Sequence, residues 1–166
     1  MQWVAKSLTI AVLVVAVMLS LHRYDTPLTT KHQTDKQLAS ALQRQRALYQ
    51  QLIGMFREDS PLSSINPQFM EPDAAVNVSR WQQYRQLFTL LSLDGGMREW
   101  GRGGVMFIRS VMTIAGTTST KGYVYRPQNP LPQYADLDKA AVDLPDNTVA
   151  YHKVDENWYL FYLKSH

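Results

Sequence analysis

Apolar and polar positions change period twice along the chain, and the changes divide it into three parts. From Ser7 to Leu21 the sequence reads SLTIAVLVVAVMLSL, fifteen residues without a charge or a polar face. As a helix this run spans about 22 Å, short of a hydrocarbon core of ~30 Å. Counted from Trp3, with the Lys6 stem reaching back to the headgroups, it is nineteen residues long. Trp3 and Tyr24 then fall where interfacial aromatics are expected. The pattern predicts a transmembrane helix over residues 3–21 within an anchor region 1–24, with Ser7, Leu13, Val17 and Leu21 along it. An all-round apolar helix at a terminus is not a core helix, because it has no side to show water. The end of the run, Val17-Met18-Leu19-Ser20-Leu21, lacks the small residues of a signal-peptidase site, which favours a retained signal anchor over a cleaved one. Its flanking charges, Lys6 against Arg23, Lys31 and Lys36, nearly balance. The short tail ahead of the helix favours N-in, C-out, with the rest of the chain translocated.

Past a connector at residues 25–33 the period becomes helical. Leu38, Ala41, Leu42, Leu48, Tyr49, Leu52, Ile53, Met55 and Phe56 lie mostly three or four apart, behind a Thr34 cap and Asp35 in the first turn. A first amphipathic helix is predicted over 34–59. Positions 38, 41, 45, 48, 52 and 55 also follow a heptad for about three repeats, compatible with a homo-oligomer through this helix; packing on the chain's own sheet is preferred. Ser60–Val78 carries three prolines and reads as a loop. Ser79 is the expected cap of a second helix, striped by Trp81, Tyr84, Leu87, Phe88 and Leu91 and stopped at Gly95-Gly96.

Beyond Gly96 the period falls to two. Met97–Trp100 and Val105–Arg109 flank the Gly101–Gly104 turn, Val111–Ala115 extends the second strand, and Gly122–Arg126 forms another. After an acidic, proline-spaced excursion at 128–147, Val149–Val154 pairs with Trp158–Leu163. The last of these is apolar on both faces, as a covered central strand requires. The fold class is therefore α+β: an N-terminal transmembrane helix, two amphipathic helices, then a four- to five-stranded antiparallel sheet, with one soluble domain over 34–166.

Composition narrows the chemistry. The 166 residues are 45 % hydrophobic and contain no cysteine, which excludes disulfides, thiolate metal sites, cysteine nucleophiles and lipoprotein-type lipidation. The net charge is only +3, but it is segregated. Residues 80–126 hold seven basic side chains against Asp94 and Glu99, while 136–156 hold six acids against Lys139 and Lys153. Arg98, Arg102, Lys121 and Arg126 are the candidate partner-binding cations; the competing reading is that the two stretches pair with each other or face water. Gly116–Gly122 misses the phosphate-loop pattern, since glycine follows Lys121 rather than preceding it, and reads as a tight hydroxyl-rich turn. Asp136, Asp138, Asp143 and Asp146 miss the calcium-loop pattern, with Ala141 and Asn147 at its glycine and glutamate positions. No catalytic, cofactor or metal residue is assigned. The aromatic strands read as core rather than as a nucleic-acid platform.

Tyr84-x-x-Leu87-Phe88, Leu93-x-Gly95-Gly96, Lys121-Gly122-Tyr123-x-Tyr125, Tyr151 and Asn157–Tyr162 together resemble a set of small uncharacterised bacterial envelope proteins with an N-terminal membrane or lipoprotein segment. The resemblance covers about Trp81–Leu163. It implies an envelope setting and a shared fold, and carries no activity. The expectation is a single-pass protein of the bacterial inner membrane, contacting lipid through its N-terminal helix. Its periplasmic domain would act as a non-catalytic interaction module, either an inhibitor or immunity protein or an accessory subunit of an envelope complex. The alternative is a small-ligand binder or hydrolase whose site gathers His152, Lys121, Tyr123 and Asp94.

Overall fold

The helical stripe folds where its caps place it. In the structure, a computed structural model describing residues 31–166, α1 spans Asp35–Glu58. Thr34 Oγ1 accepts from the Gln37 backbone N–H, and the Gln37 side chain accepts from the Thr34 N–H in return. α2 runs Val78–Leu91, and its cap is Asn77 rather than the expected Ser79. The carboxamide oxygen of Asn77 receives the Arg80 N–H at 2.8 Å. The expected transmembrane helix over 3–21, with Ser7, Leu13, Val17 and Leu21, lies outside the described residues. Among the described residues no helix is long and apolar enough to cross a membrane.

The sheet is larger than the sequence pattern predicts. Its strands are β1 (Ser64–Ile65), β2 (Met70–Glu71), β3 (Gly96–Trp100), β4 (Gly104–Ile114), β5 (Thr117–Tyr125), β6 (Thr148–Lys153) and β7 (Trp158–Ser165), all paired antiparallel in the order β2-β1-β3-β4-β5-β7-β6. Two of the seven come from the proline-rich stretch read as a loop: β1 and β2 are two residues each, too short to show a period. The expected turn at 116–122 is also corrected. Only Ala115 and Gly116 turn, both at positive φ, and Thr117–Lys121 continues β5 against β4 and β7. A short helix, α3 (Leu137–Ala140), interrupts the acidic excursion.

One face of the sheet carries the helices. Tyr49 of α1 is fully buried, with its ring 5.1 Å from Phe107, 5.2 Å from Tyr123 and 5.7 Å from Trp158, one contact to each of β4, β5 and β7. Edge-to-face aromatic contacts of this kind add about 0.5–1.5 kcal/mol each beyond burial. Leu38, Leu42, Leu52, Ile53 and Phe56 close over the same face. Of the heptad positions, Leu38, Ala41, Leu52 and Met55 are buried in the chain's own core, while Gln45 and Leu48 are half-buried. Gln45, which breaks the stripe, donates to the Leu90 carbonyl at 3.2 Å and ties α1 to α2. At the far end of α1, Asp59 accepts from both Arg80 Nε (2.8 Å) and the Tyr84 hydroxyl (2.7 Å) of α2.

The other face holds a second apolar cluster of Met106, Val124, Tyr151 and Phe161, flanked by Trp100 and Tyr159. Trp100 Nε1–H donates to the Tyr151 hydroxyl at 2.9 Å, although β3 and β6 are four strand steps apart. Flat, those steps cover about 19 Å at ~4.8 Å each. The sheet therefore curls, and the Trp100–Tyr151 bond closes its concave side. A bulge at Arg109, between Ile108 and Ser110, supports the curl. Beside it a Cβ on Gly122 would stand 2.1 Å from the Phe107 carbonyl oxygen, so this approach of β4 to β5 admits only glycine.

Candidate functional site

Polar side chains group in two places along β4 and β5. At the end where the described chain begins, Lys121 projects from β5 onto the helical face and is fully buried. Its ammonium lies 2.7 Å from Asp35 Oδ1 and 2.5 Å from Asp138 Oδ1. A buried cation is retained only when paired, and here the partners come from α1 and α3. Asp35 Oδ2 also accepts the Leu137 N–H at 2.6 Å, and Asp138 Oδ2 accepts the Asp35 N–H at 2.9 Å. Lys121 is thus a structural lock and not the exposed partner-binding residue expected from sequence. Asp35, Asp136 and Asp138 bring carboxylate oxygens within 4.8 Å of one another, the grouping with metal-ligand composition among the described residues. Two of the three already face the ammonium.

Next to this lock stands His32. Its Nδ1 is 2.6 Å from Ser110 Oγ on β4 and its Nε2 is 2.7 Å from Ser119 Oγ on β5, while the ring meets Tyr162 of β7 edge-on at 5.6 Å. Burial, and then the charge of Lys121, push its pKa down to about 4, with Asp138 pulling weakly the other way. The Ser110–His32 distance suits a nucleophile and its base. A useful base titrates near the working pH, however, and a third group should orient it. This ring titrates well below neutrality, and its second nitrogen meets another serine. The arrangement is a latch that fastens the incoming chain to the foot of the β4–β5 hairpin. The sequence pattern places His32 in the connector. The signal that could have found it is the pair Ser110 and Ser119, which strand pairing brings to one face.

At the opposite end lie four arginines, Arg57 on the helical face of the sheet and Arg98 on the other. Arg102 lies exposed in the β3–β4 turn, and Arg126 exposed after β5 with its guanidinium 5.2 Å from the Tyr125 ring and its Nε–H on Asn157 Oδ1 at 3.1 Å. Arg57, from the last turn of α1, approaches the same Tyr125 ring at 5.9 Å, and Arg98 lies 5.3 Å over Trp100. Among the described residues none of these four forms an ion pair with a carboxylate. An open, shallow cleft of about 200 Å³ runs between Phe56 and Arg57 and the Gly103–Val105 turn, with Glu99 on its wall. Of the seven basic residues in 80–126, only Lys121 pairs with the acidic stretch. That stretch otherwise turns to Lys164, through Asp146, and to Arg46, through Asp155.

The residues of the alternative hydrolase reading do not meet in one cleft. Tyr123 donates to the Leu38 carbonyl at 3.0 Å and Lys121 is locked, while Asp94 is exposed between α2 and β3. His152 shares its sheet row with Tyr123 but is separated from it by the buried Leu160, and its Nδ1 is held at the Tyr134 carbonyl at 2.9 Å. Comparison of the chain with protein-family models, with curated proteins and with solved structures finds no match.

Proposed function

We propose that the chain is a non-catalytic interaction module tethered to the bacterial inner membrane, with its α+β domain in the periplasm. In this reading the arginine end of the sheet docks an acidic patch of another envelope protein, as an inhibitor or as an accessory subunit. The observation that carries the reading is the set Arg57, Arg98, Arg102 and Arg126, which form no ion pair among the described residues and three of which lie over aromatic rings. Guanidinium and aromatic side chains dominate the energetics of protein interfaces, and a cation left without a partner attracts an acidic surface at long range. The shallow cleft lined by Arg57 suits a protruding loop better than an enclosed small molecule. The tether and the envelope setting are supported by the apolar run at 7–21 and by the family resemblance.

The test is a photocrosslinking amino acid at position 102 of the full-length protein in living cells. A discrete crosslinked product is expected, lost when Arg57, Arg98 and Arg126 are changed to glutamate and retained when Lys139 and Lys153 are changed instead. A product indifferent to the arginine reversals, or none at all, overturns the reading.

A further inference from the structure

The β4–β5 hairpin outruns its neighbour. β3 leaves β4 at Ile108, so among the described residues Ser110–Ile114 pairs with β5 alone and its other edge has no strand partner. From Ser110 to Thr120 the sequence SVMTIAGTTST contains no charge. Val111 and Ile114 are 49 % and 63 % exposed, and the Ala115-Gly116 turn is exposed as well. A free strand edge facing water is ordinarily guarded by lysine, proline or a polar turn. Here the turn position that favours asparagine or glycine holds Ala115 at φ 49°.

The place of this hairpin says what covers it. His32 is bonded to Ser110 and Ser119 at the hairpin's foot, so the chain leading back to the apolar run departs from there. Only ten residues, 22–31, separate Leu21 from His32. They reach at most about 36 Å when fully extended. From Ser110 to Ile114 the strand advances about 13 Å. A membrane that holds the apolar run is therefore within the hairpin's reach. Lys31 and Lys36, on either side of His32 in the chain, are exposed and form no ion pair among the described residues, as suits an anionic lipid surface. The nearby carboxylates Asp35 and Asp138 are committed to Lys121, and Asp146 to Lys164.

We infer that the tip of the β4–β5 hairpin, through Val111, Ile114 and Ala115, seats in the headgroup–acyl boundary of a phospholipid bilayer. The inference rests on the tether proposed above and adds an orientation to it. With the tip in lipid, the arginine end, at the opposite ends of β4 and β5, faces away from the membrane and toward a partner.

Because the chain has no cysteine, Ile114→Cys gives a single labelling site on a side chain that is already exposed. The full-length variant, labelled with an environment-sensitive fluorophore, is reconstituted into phosphatidylethanolamine–phosphatidylglycerol vesicles. Spin-labelled lipids with shallow nitroxides are then added, and Arg102→Cys is treated in parallel. The expected result is emission shifted to the blue at 114 and quenching several-fold greater there than at 102. It should be abolished when the same quenching is read from Thr117→Cys in a Val111→Asp, Ile114→Asp background. A water-like, unquenched label at 114 on protein that floats with the vesicles overturns the inference and leaves the tether intact. Protein that fails to float overturns the tether itself. A label shielded from water, unquenched by lipid and transferring energy to a second label assigns the tip to another copy of the chain, which also overturns the inference.

Discussion

Protonating His32 should weaken the domain over a defined pH range. The folded ring titrates at about 4 against an ordinary value of 6.5, because burial and then Lys121 disfavour its charged form. For a base whose folded pKa is depressed, the stabilising contribution is complete above the unfolded pKa. It is lost as pH falls from about 6.5 toward 4, below which the folded ring also charges. Between pH 7.5 and 4.5 the full shift corresponds to about 2.5 kcal/mol. His32 is only partly buried, so solvent screening reduces this to about 1–1.5 kcal/mol. A second bound agrees. A ring that lets go titrates as in the unfolded chain, so the loss cannot exceed the docking energy of two hydrogen bonds, roughly 1 kcal/mol each. The assay is urea unfolding of the full-length protein in detergent, followed by near-ultraviolet circular dichroism at pH 7.5, 5.5 and 4.5. Wild type is compared with His32→Gln, which keeps a polar group and removes the titration. Every carboxylate titrates in both proteins, so the difference between the two pH profiles isolates His32. Wild type should lose about 1–1.5 kcal/mol more than the variant. Parallel profiles would refute the assignment, and a greater loss in His32→Gln would mean that Asp138 outweighs burial and Lys121.

Other features of the fold carry their own tests. Trp100→Phe and Tyr151→Phe should each cost about 1 kcal/mol of unfolding free energy, and the double variant less than their sum, because both remove the bond that closes the curl. Additive effects in the double-mutant cycle would show that the two strands do not meet. Lys121→Met should cost about 2–4 kcal/mol by leaving Asp35 and Asp138 without their cation, and adding Asp35→Asn and Asp138→Asn should recover part of it. Failure of the triple variant to recover would argue that the lysine matters by its packing. Gly122→Ala should prevent stable folding at 25 °C, with loss of dispersed amide signals, since its Cβ meets backbone rather than a flexible side chain. A variant as stable as wild type would remove the close approach of β4 and β5.

Both helices are legible because each is an apolar stripe behind a short polar cap, and Thr34 caps α1 as its position ahead of the stripe predicts. The cap at Asn77 lies two residues before Ser79, and both residues are good caps. The double-sided character of Trp158–Leu163 announced a covered strand, and β7 does lie between β5 and β6. Strands β1 and β2 were not legible, because a two-residue ladder has no period and is held by the edge of β3. Nor was Thr117–Lys121, whose hydroxyls suit a turn and whose strand state is imposed by neighbours on both sides. At the site, Arg98, Arg102 and Arg126 could be read as a basic stretch, whereas Arg57 joins them only through the length of α1. The burial of Lys121 and the docking of His32 depend on contacts between residues 17 to 87 positions apart, beyond what local pattern encodes.

The position of β7 also sets a clock. A ribosome delivers the strands in sequence order, and every strand but β7 has been made by the time residue 153 is joined. Until residues 158–165 follow, β5 has one partner instead of two, Tyr49 lacks the Trp158 wall of its socket, and β6 has no strand to lie against. The nascent domain therefore stays open until β7 is made. Such a chain presents an unpaired apolar edge to anything nearby, which favours aggregation if it lingers and keeps it threadable if a translocation pore is waiting.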